Sequence, residues 1–128
     1  MSDDEGEVWL IRHGETEWSR SGQHTGTTDI PLTERGEESA RSLRALLAAT
    51  PFDLVLASPR QRARRTAELA GMTGYRIYDE LVEWDYGDYE GITRAEVHET
   101  RPRWSIWSDG APNGETPHEV TTRVDRVI

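Results

Sequence analysis

Leu10-Ile11-Arg12-His13-Gly14-Glu15-Thr16 is the stretch that decides the fold of this 128-residue chain. It continues an apolar run, residues 8–11, which stops abruptly at an arginine, a histidine and a glycine. Uninterrupted apolar runs of this length are typical of strands that are buried on both faces, as in parallel sheets. Ligands of open α/β sheets bind just beyond the carboxyl ends of such strands, where Arg12 and His13 would lie. We therefore predict a first strand over residues 8–11, with a candidate site directly after it.

The three residues after this strand have the chemistry of a phosphate site. Arg12 supplies a planar guanidinium that matches phosphate oxygens. His13 can act as a nucleophile, an acid or a base near neutral pH. Gly14 lets the backbone turn and approach a ligand closely. The alternative is a strand followed by a polar turn, in which His13 only caps the chain. Residues 12–14 alone do not distinguish this alternative from a phosphate site, so the rest of the sequence is needed.

The composition limits the classes of function. The length suffices for one domain over residues 1–128. The net charge of -9 argues against nucleic-acid and membrane-surface partners, which need a basic face. A small anionic substrate stays compatible, because a local arginine cluster can override the global field. The chain has no cysteines, which excludes disulfides and thiolate metal sites. Because no apolar run has the length of a membrane span and the N-terminus is acidic, we expect a cytoplasmic protein.

A long polar stretch over residues 15–31 follows the predicted strand. No strand or helix pattern runs through it, and loops of this length are uncommon in compact domains unless they bind something. Its small hydroxyl and glycine residues suit contacts with phosphate or sugar through side chains and backbone N–H groups. The alternative is a surface loop that Trp18 pins to the domain.

The next elements predict a βαβ unit. Thr33 is placed to cap a helix that runs to about residue 50, where Pro51 ends it. The predicted buried face of this helix consists of Ala40, Leu43 and Leu47, with Leu46 beside them. The apolar run over residues 53–57 predicts the second buried strand, and a strand, a helix and a strand in this length are typical of a parallel pair.

The second strand also ends in reactive residues. Ser58 at the cap position and Pro59 in the first turn predict a further helix. Its first two turns hold four arginines, Arg60, Arg62, Arg64 and Arg65. A helix N-terminus attracts anions, so arginines are misplaced there unless an anion compensates them. The predicted buried side consists of Ala63, Thr66, Ala67 and Ala70, with Arg62 near its edge. For the other three arginines a solvated basic face is the better interpretation.

Residues 75–78 predict a third, shorter strand, which is followed by the carboxylate-rich segment 79–91. Three strand ends would thus bring together an Arg-His pair, further arginines and a carboxylate cluster. A nucleophilic histidine, arginines for the transition-state charge and a carboxylic acid for the leaving group are what phosphoryl transfer through phosphohistidine needs. A solvated acidic loop remains the alternative for Glu80, Asp85 and Asp88.

Metal and nucleotide chemistry are competing explanations that the sequence does not favour. No two histidines lie one helix turn apart, and no glycine-rich loop with a lysine for nucleotide phosphates is present. The four histidines are His13, His24, His98 and His118. We therefore expect neither a metal ion nor a cofactor.

The last third of the chain predicts two more helices, over residues 93–99 and 119–128, with a loop over residues 110–117 between them. Trp104 and Trp107 lie three residues apart. Packing in the core or under a lid explains them better than a stacking platform.

Several motifs, in this order along the chain, resemble the histidine phosphatase superfamily, whose fold is phosphoglycerate mutase-like. They are Arg12-His13-Gly14-Glu15-Thr16-Glu17-Trp18, Thr25-Gly26 with Asp29-Ile30-Pro31-Leu32-Thr33, Ser58-Pro59 with Arg62-Ala63 and Thr66-Ala67, and Leu81 with Glu83 and Tyr86-Gly87-Asp88-Tyr89-Glu90-Gly91. Residues 18–26, 83–91 and 104–116 are most similar to the sedoheptulose bisphosphatase and acid phosphatase branch. The resemblance implies a three-layer, doubly wound α/β fold with a mostly parallel sheet.

The resemblance also implies roles for individual residues. His13 corresponds to the nucleophile, and Glu83 to the proton donor for the leaving group. Arg12 and Arg62 correspond to the arginines that hold the phosphoryl oxygens. The residues implied at the substrate end are Ser19, His24, Thr25, Gly26 and Tyr86.

The function implied by the resemblance is hydrolysis of a phosphomonoester without a metal ion or cofactor. The expected partner is a small phosphorylated molecule, such as sedoheptulose bisphosphate, and the resemblance leaves room for a homo-oligomer. A mutase that returns the phosphoryl group to its substrate is one alternative. A non-catalytic module that binds a phosphorylated ligand is the other.

Two departures from the family pattern bear on this interpretation. Ser19 stands where many members carry Asn. The second catalytic histidine of the family, which follows a fourth strand, has no counterpart here, since His98 and His118 lie in other contexts.

The apolar content is also low for a self-sufficient core, and the last predicted helix has no capping signal at its end. We therefore expect the chain to continue beyond Ile128 or a partner to supply the strand, and residues 1–128 alone to be unstable and essentially inactive.

Overall fold

The structure is a computed structural model that describes residues 6–127. The acidic start over residues 1–5 and the last residue of the predicted C-terminal helix, Ile128, lie outside the described residues. The helices are α1 (Glu17–Ser21), α2 (Glu34–Ser42), α3 (Arg44–Ala48), α4 (Gln61–Leu69), α5 (Arg94–Thr100), α6 (Ile106–Asp109) and α7 (Pro117–Asp125). Two short 3-10 helices, Asp79–Leu81 and Gly87–Tyr89, flank the segment 82–86.

The described residues contain one parallel pair of strands. β1 (Leu56–Ala57) pairs with β2 (Arg76–Ile77), with Leu56 opposite Arg76. The two strands are joined through α4, whereas the predicted βαβ unit of residues 8–11, 33–50 and 53–57 does not form because its first strand is absent. The prediction of an α/β fold with a parallel sheet is therefore confirmed, and both strands lie inside their predicted ranges.

The prediction of a buried strand over residues 8–11 is wrong for this structure. Val8 is 83% exposed and Leu10 is 92% exposed, and the segment is not part of a ladder. A strand buried on both faces needs a strand beside it and helices above and below it. Among the described residues no such neighbour pairs with this run, so its apolar side chains face solvent.

The helix predicted over residues 33–50 forms as two segments, α2 and α3, which are separated at Leu43. Thr33 caps α2 as predicted, because its Oγ1 accepts a hydrogen bond from the N–H of Gly36 at 3.1 Å. Ala40 and Leu47 are buried, in agreement with the predicted face. Leu46 is exposed instead of lying beside that face.

The helix after β1 begins later than its sequence predicts. Arg60, not Ser58, is the residue before the first turn of α4, and its backbone is extended. The cap comes from Asp29, whose Oδ1 accepts a hydrogen bond from the N–H of Gln61 at 2.8 Å. The amide of Gln61 also donates to the carbonyl of Asp29 at 2.7 Å. This long-range cap ties the polar stretch 15–31 to α4.

The polar stretch itself contains α1, although no helix was predicted there. Thr16 and Ser19 form a reciprocal capping box at its N-terminus, and Gly22 ends it with a positive φ of 83°. Only five residues are helical, too few to show an apolar period in the sequence. The remaining part, residues 22–31, runs toward α4 and the candidate site.

The apolar core is small and divides into two regions. α2 packs against α4 in the first region, which buries Ala40, Leu47 and Leu69. The second region surrounds Trp84 and Trp104, whereas Trp107 is 78% exposed. Core packing is thus confirmed for Trp104 but not for Trp107.

The two helices predicted in the last third both form. Thr93 caps α5 and Thr116 caps α7, each through a capping box with the glutamate three residues later. α7 begins at Pro117, two residues before its predicted start, because proline at the first turn fits the helical φ. No helix within residues 6–127 is long and apolar enough to cross a membrane.

Candidate active site

The ring of His13 is held in one tautomer by its own chain. Nδ1 lies 2.7 Å from the carbonyl oxygen of Gly14. A carbonyl only accepts, so Nδ1 carries the proton and donates it to this bond. In the neutral ring Nε2 then has the free lone pair. His13 therefore presents the nitrogen that a nucleophile needs.

The charge environment of His13 favours the neutral ring. Burial lowers the pKa of His13 below its ordinary value of 6.5, and the positive charges of Arg62 and Arg12 lower it further. The hydrogen bond to Gly14 and the carboxylate of Glu83 act in the opposite direction, but burial outweighs them. The lone pair on Nε2 is thus present at neutral pH.

α4 fixes the backbone next to His13. The N–H of Gly14 donates to Oγ1 of Thr66 at 3.1 Å, and Oγ1 of Thr66 donates to the carbonyl of Arg62 at 2.7 Å. A side chain at Gly14 would collide with the carbonyl of Gly36, so only glycine allows α2 to approach this closely. The histidine is therefore placed by two helices rather than by a strand ladder.

Arg62 is the buried cation of the site. It is only 2% exposed, whereas its sequence predicted a position near the edge of the buried face of α4. Its Nη1 donates to the carbonyl of Thr28 at 2.6 Å, and its Nη2 donates to the carbonyl of Gly26 at 2.9 Å. These two bonds use two of the five N–H donors of the guanidinium. Burial lowers the pKa of Arg62, and the Glu83 carboxylate opposes this shift.

Glu90 supports Arg62 from the other side of the same loop, and the sequence did not single it out. Its Oε1 accepts hydrogen bonds from the N–H groups of Gly26 at 2.8 Å and Thr28 at 2.9 Å. Its Oε2 is buried without a hydrogen-bond partner among the described residues. The only signal in the sequence was the Glu90-Gly91 pair at the end of the family-like motif.

Glu83 is exposed and lies on the irregular, otherwise half-buried or buried segment 82–86. Its Oε1 accepts a hydrogen bond from the N–H of Trp84 at 2.8 Å. Its charge acts to raise the pKa of His13, of Arg62 and of Tyr86. Arg12, also exposed, acts to lower the pKa of His13 and Tyr86. The predicted catalytic residues are therefore brought within electrostatic reach of one another.

Two residues predicted at the substrate end stack on each other. The rings of His24 and Tyr86 are parallel within 3°, with their centroids 4.5 Å apart. Nδ1 of His24 donates to the carbonyl of Tyr89 at 3.1 Å, which leaves Nε2 as an acceptor in the neutral ring. Burial raises the pKa of the Tyr86 phenol, as do Glu83 and Glu90, so it stays a neutral donor.

The other three residues predicted at the substrate end already make hydrogen bonds within the protein. Gly26 is buried, and its N–H donates to Glu90 while its carbonyl accepts from Arg62. Oγ1 of Thr25 donates to the carbonyl of Gln23 at 3.2 Å. The hydroxyl of Ser19 serves the cap of α1, where it accepts from the N–H of Thr16 at 2.8 Å and donates to its carbonyl at 3.1 Å. A substrate contact by Ser19 stays a prediction.

Within residues 6–127 no three histidine or carboxylate side chains gather to hold a metal ion. One carboxylate, that of Glu83, acts on His13, whereas two guanidinium groups, those of Arg62 and Arg12, act on it with positive charge. The two guanidinium groups suit an anion with several oxygens, such as a phosphoryl group.

An α/β fold whose site combines His13, the buried Arg62 and the carboxylate of Glu83 is typical of proteins that act on phosphate esters. Residues 8–128 match the family model described as "Histidine phosphatase superfamily (branch 1)". The chain belongs to this superfamily.

The curated relatives include two phosphatases. An acid phosphatase of Mycobacterium tuberculosis is 43% identical over 121 residues, which cover 93% of this chain and 60% of the relative. A sedoheptulose 1,7-bisphosphatase of Saccharomyces cerevisiae is 38% identical over 143 residues, which cover 93% of this chain and 53% of the relative. The chain therefore spans 60% or less of the length of these two relatives.

Solved structures agree with the family assignment. The product of an open reading frame from Mycobacterium tuberculosis has a TM-score of 0.85 and 43% identity, covering 90% of this chain and 61% of that one. A phosphoglycerate mutase from Thermus thermophilus has a TM-score of 0.72 and 40% identity, covering 93% and 68%. The predicted phosphoglycerate mutase-like fold is therefore confirmed.

Proposed function

We propose that the protein hydrolyses phosphate monoesters through a phosphohistidine on Nε2 of His13. The observation that carries this proposal is the hydrogen bond from Nδ1 of His13 to the Gly14 carbonyl, because it leaves Nε2 unprotonated and free to attack. The lowered pKa of His13 supports the same role, since the neutral ring persists below the pH at which a free histidine would be protonated.

In the first step the lone pair of Nε2 forms a bond to phosphorus while the bond from phosphorus to the ester oxygen breaks. Glu83 gives its proton to the departing oxygen, which leaves as an alcohol. In the second step the Glu83 carboxylate takes a proton from water, the water oxygen attacks phosphorus, and the bond to Nε2 breaks. Inorganic phosphate is released and Glu83 is again protonated.

Arg12 and Arg62 hold the phosphoryl oxygens through both steps. The guanidinium of Arg62 is already fixed by two backbone carbonyls, so little rearrangement is needed when negative charge develops on those oxygens. Because the two arginines supply this stabilisation, we expect the reaction to need no metal ion. Activity that is unchanged after dialysis against EDTA would agree with this expectation.

The substrate we propose is a small sugar phosphate, such as sedoheptulose bisphosphate. The support comes from the relative named sedoheptulose 1,7-bisphosphatase and from the stacked His24 and Tyr86, whose Nε2 and hydroxyl can bond to sugar hydroxyls. An acid phosphatase of broader range is supported by the relative of that name. A cytoplasmic location and a homo-oligomeric state stay predictions.

Rapid-quench kinetics with a radiolabelled sugar phosphate test the proposal on the full-length protein. We expect an acid-labile, base-stable label on the protein and a burst of alcohol that precedes phosphate release. His13→Ala should abolish the label and the turnover together. His118→Ala is the matched control, because His118 is exposed on α7 and should leave both unchanged. A burst or label retained by His13→Ala contradicts the proposal.

A mutase-type phosphotransferase is the second candidate, and it is favoured by the 40% identity to a phosphoglycerate mutase from Thermus thermophilus. Product analysis distinguishes the two functions. A phosphatase releases inorganic phosphate in proportion to substrate consumed, whereas a mutase yields an isomer of the substrate with little phosphate. Substrate binding without label or turnover would instead identify a non-catalytic phospho-ligand-binding module.

A further inference from the structure

The segment that carries Glu83 has no regular structure of its own to hold it in place. Glu83 lies between the two 3-10 helices Asp79–Leu81 and Gly87–Tyr89, outside any strand ladder or α-helix. A general acid must sit within hydrogen-bond reach of the leaving oxygen, and a shift of about 1 Å can cost a large factor in rate. Something outside the segment must therefore set its position.

Arg123, in the last turn of α7, holds the part of the segment before Glu83. Its Nη1 donates to the carbonyl of Glu80 at 2.8 Å and to the carbonyl of Val82 at 2.6 Å. Val82 is the residue directly before Glu83, so this bond fixes the peptide from which the Glu83 side chain starts.

Glu115 holds the part of the segment after Glu83. Its Oε1 accepts a hydrogen bond from the N–H of Asp85 at 2.8 Å, and its own N–H donates to the carbonyl of Asp85 at 2.9 Å. The indole Nε1 of Trp84 donates to the carbonyl of Glu115 at 2.9 Å. The two residues that follow Glu83 are therefore both tied to Glu115.

The two supports are joined to each other. Arg123 pairs with Glu115 in a two-pronged ion pair, from Nε to Oε2 at 2.9 Å and from Nη2 to Oε1 at 2.8 Å. Their side chains are only 13% and 18% exposed, so water screens this pair less than a surface pair. Burial acts to raise the pKa of Glu115, but the hydrogen bonds from Arg123 and Asp85 lower it, so the carboxylate stays charged.

We propose that Arg123 and Glu115 form a clamp that sets the position of the Glu83 carboxyl for proton transfer to the leaving group. Both are positioning residues, since they contact the backbone around Glu83 and not the phosphoryl site. This inference rests on the proposed role of Glu83 as the proton donor. α7 has no buried residue, and the proposal assigns it the role of holding the segment that carries Glu83.

The clamp predicts an effect that depends on the leaving group. An alkyl alcohol leaves slowly unless it is protonated, whereas p-nitrophenolate leaves without help. A misplaced Glu83 therefore slows phosphoryl transfer from alkyl phosphates to His13 but spares that step for p-nitrophenyl phosphate. Since both substrates share the second step, the difference appears in kcat/KM, which reports the first step. A support that was merely structural would lower both rates by the same factor, because His13 and the arginines act on both substrates.

The test compares kcat/KM of the full-length protein for glycerol phosphate and p-nitrophenyl phosphate in four variants. For Arg123→Met and Glu115→Gln we expect the glycerol phosphate value to fall ~10- to 100-fold and the p-nitrophenyl phosphate value by less than about 3-fold. Arg123→Lys retains the positive charge but not the planar guanidinium that bonds to both oxygens of Glu115. Its kcat/KM for glycerol phosphate should lie between those of wild type and Arg123→Met. Arg126→Met is the matched control, an exposed arginine after the same helix, and should behave as wild type.

Glu83→Gln separates the failure of the clamp from the failure of the proposed function. If Glu83→Gln shows no leaving-group dependence, the role of Glu83 is wrong and the clamp falls with it. If Glu83→Gln shows the dependence but the clamp variants do not, the clamp alone is wrong. Adding Arg123→Met to Glu83→Gln should cause no further loss on glycerol phosphate, because the group that the clamp positions is already gone.

Equal losses on both substrates would overturn the clamp, as would wild-type rates for both substrates. Loss of cooperative unfolding in all three clamp variants would overturn it too, because the pair would then be a requirement for folding and not for proton transfer. Burst labelling of His13 from p-nitrophenyl phosphate shows directly that the phosphoryl site of each variant is intact.

Discussion

Arg62 and Glu90 hold one loop from opposite sides. The guanidinium of Arg62 donates to the carbonyls of Gly26 and Thr28, and Oε1 of Glu90 accepts from the N–H groups of the same two residues. The Glu90 carboxylate therefore helps to position the Arg62 guanidinium through the backbone of Gly26 and Thr28, without a hydrogen bond between the two side chains. Each charge is stabilised by hydrogen bonds to the same stretch of backbone.

Removing Glu90 should therefore disturb both stability and the position of Arg62. We expect Glu90→Ala to lower the free energy of unfolding by about 1–3 kcal/mol, because two backbone N–H groups lose their buried acceptor. Urea unfolding of the full-length protein measures this change. Glu99→Ala, an exposed residue on α5, is the control and should stay within about 0.5 kcal/mol of wild type. Equal stability of the two variants would show that the loop does not depend on Glu90.

The pKa of His13 leads to a second prediction. Burial and the two nearby arginines lower this pKa, so we expect His13 in the full-length protein to titrate below 6.5 when its ring is followed by NMR. The acid limb of kcat/KM should lie at the same lowered pH, since protonation removes the lone pair on Nε2. Glu83→Gln should lower the pKa of His13 further, because the Glu83 carboxylate raises it. A rise in that variant contradicts the arrangement of charges.

The cap of α4 makes a third prediction. Asp29→Ala removes the acceptor for the N–H of Gln61 and should reduce the free energy of unfolding by about 1 kcal/mol. Thermal or urea unfolding measures the loss. Asp53→Ala removes the same charge from an exposed site and is the control. Stability that falls equally in both variants would point to net charge and not to the cap.

Local patterns in the sequence were sufficient for much of the fold. Thr33 predicted a helix cap that the structure confirms, and the helix predicted over residues 93–99 forms as α5. The predicted strands over residues 53–57 and 75–78 both contain the observed strands. Caps and apolar runs are short-range features, so a single sequence shows them directly. The strand-end argument does not explain the site in the same way, because residues 8–11 form no strand and His13 is placed by α2 and α4 instead.

Long-range contacts could not be predicted from local sequence patterns. The cap of α4 comes from Asp29, 32 residues earlier in the chain, and Arg123 bonds to Val82 across 41 residues. The sequence predicts Arg62 near the edge of the buried face of α4, because apolar side chains ordinarily mark that face, whereas the structure buries it. A charged side chain can lie at its centre only when partners such as Gly26 and Thr28 satisfy it, and local sequence does not reveal those partners. The exposed run over residues 8–11 shows the converse, because an apolar segment is buried only where neighbours cover it.

The last prediction concerns the close approach of α2 to the backbone next to His13. Gly36 lies within α2, where alanine is ordinarily the better residue by about 0.5–1 kcal/mol. A Cβ at Gly36, however, would collide with the carbonyl of Glu15 and lie 2.7 Å from its N–H nitrogen. Because both contacts are backbone, they cannot move aside as a flexible side chain would. The collision should outweigh the helix preference, and we expect Gly36→Ala to reduce the free energy of unfolding by about 1–3 kcal/mol.

Gly74→Ala is the matched control for this variant, since a Cβ at Gly74 meets no atom within 4 Å and its backbone φ lies outside the left-handed region. Its stability should stay at or slightly above that of wild type, because alanine reduces the entropy of the unfolded chain. Urea unfolding of both variants compares the two effects. A shift of the His13 ring resonances in Gly36→Ala, absent from Gly74→Ala, would show that the displaced backbone reaches His13 through Gly14. A higher free energy of unfolding for Gly36→Ala would instead mean that α2 can move away from the backbone of Glu15 without loss of stability. The contact between them would then not be what positions His13.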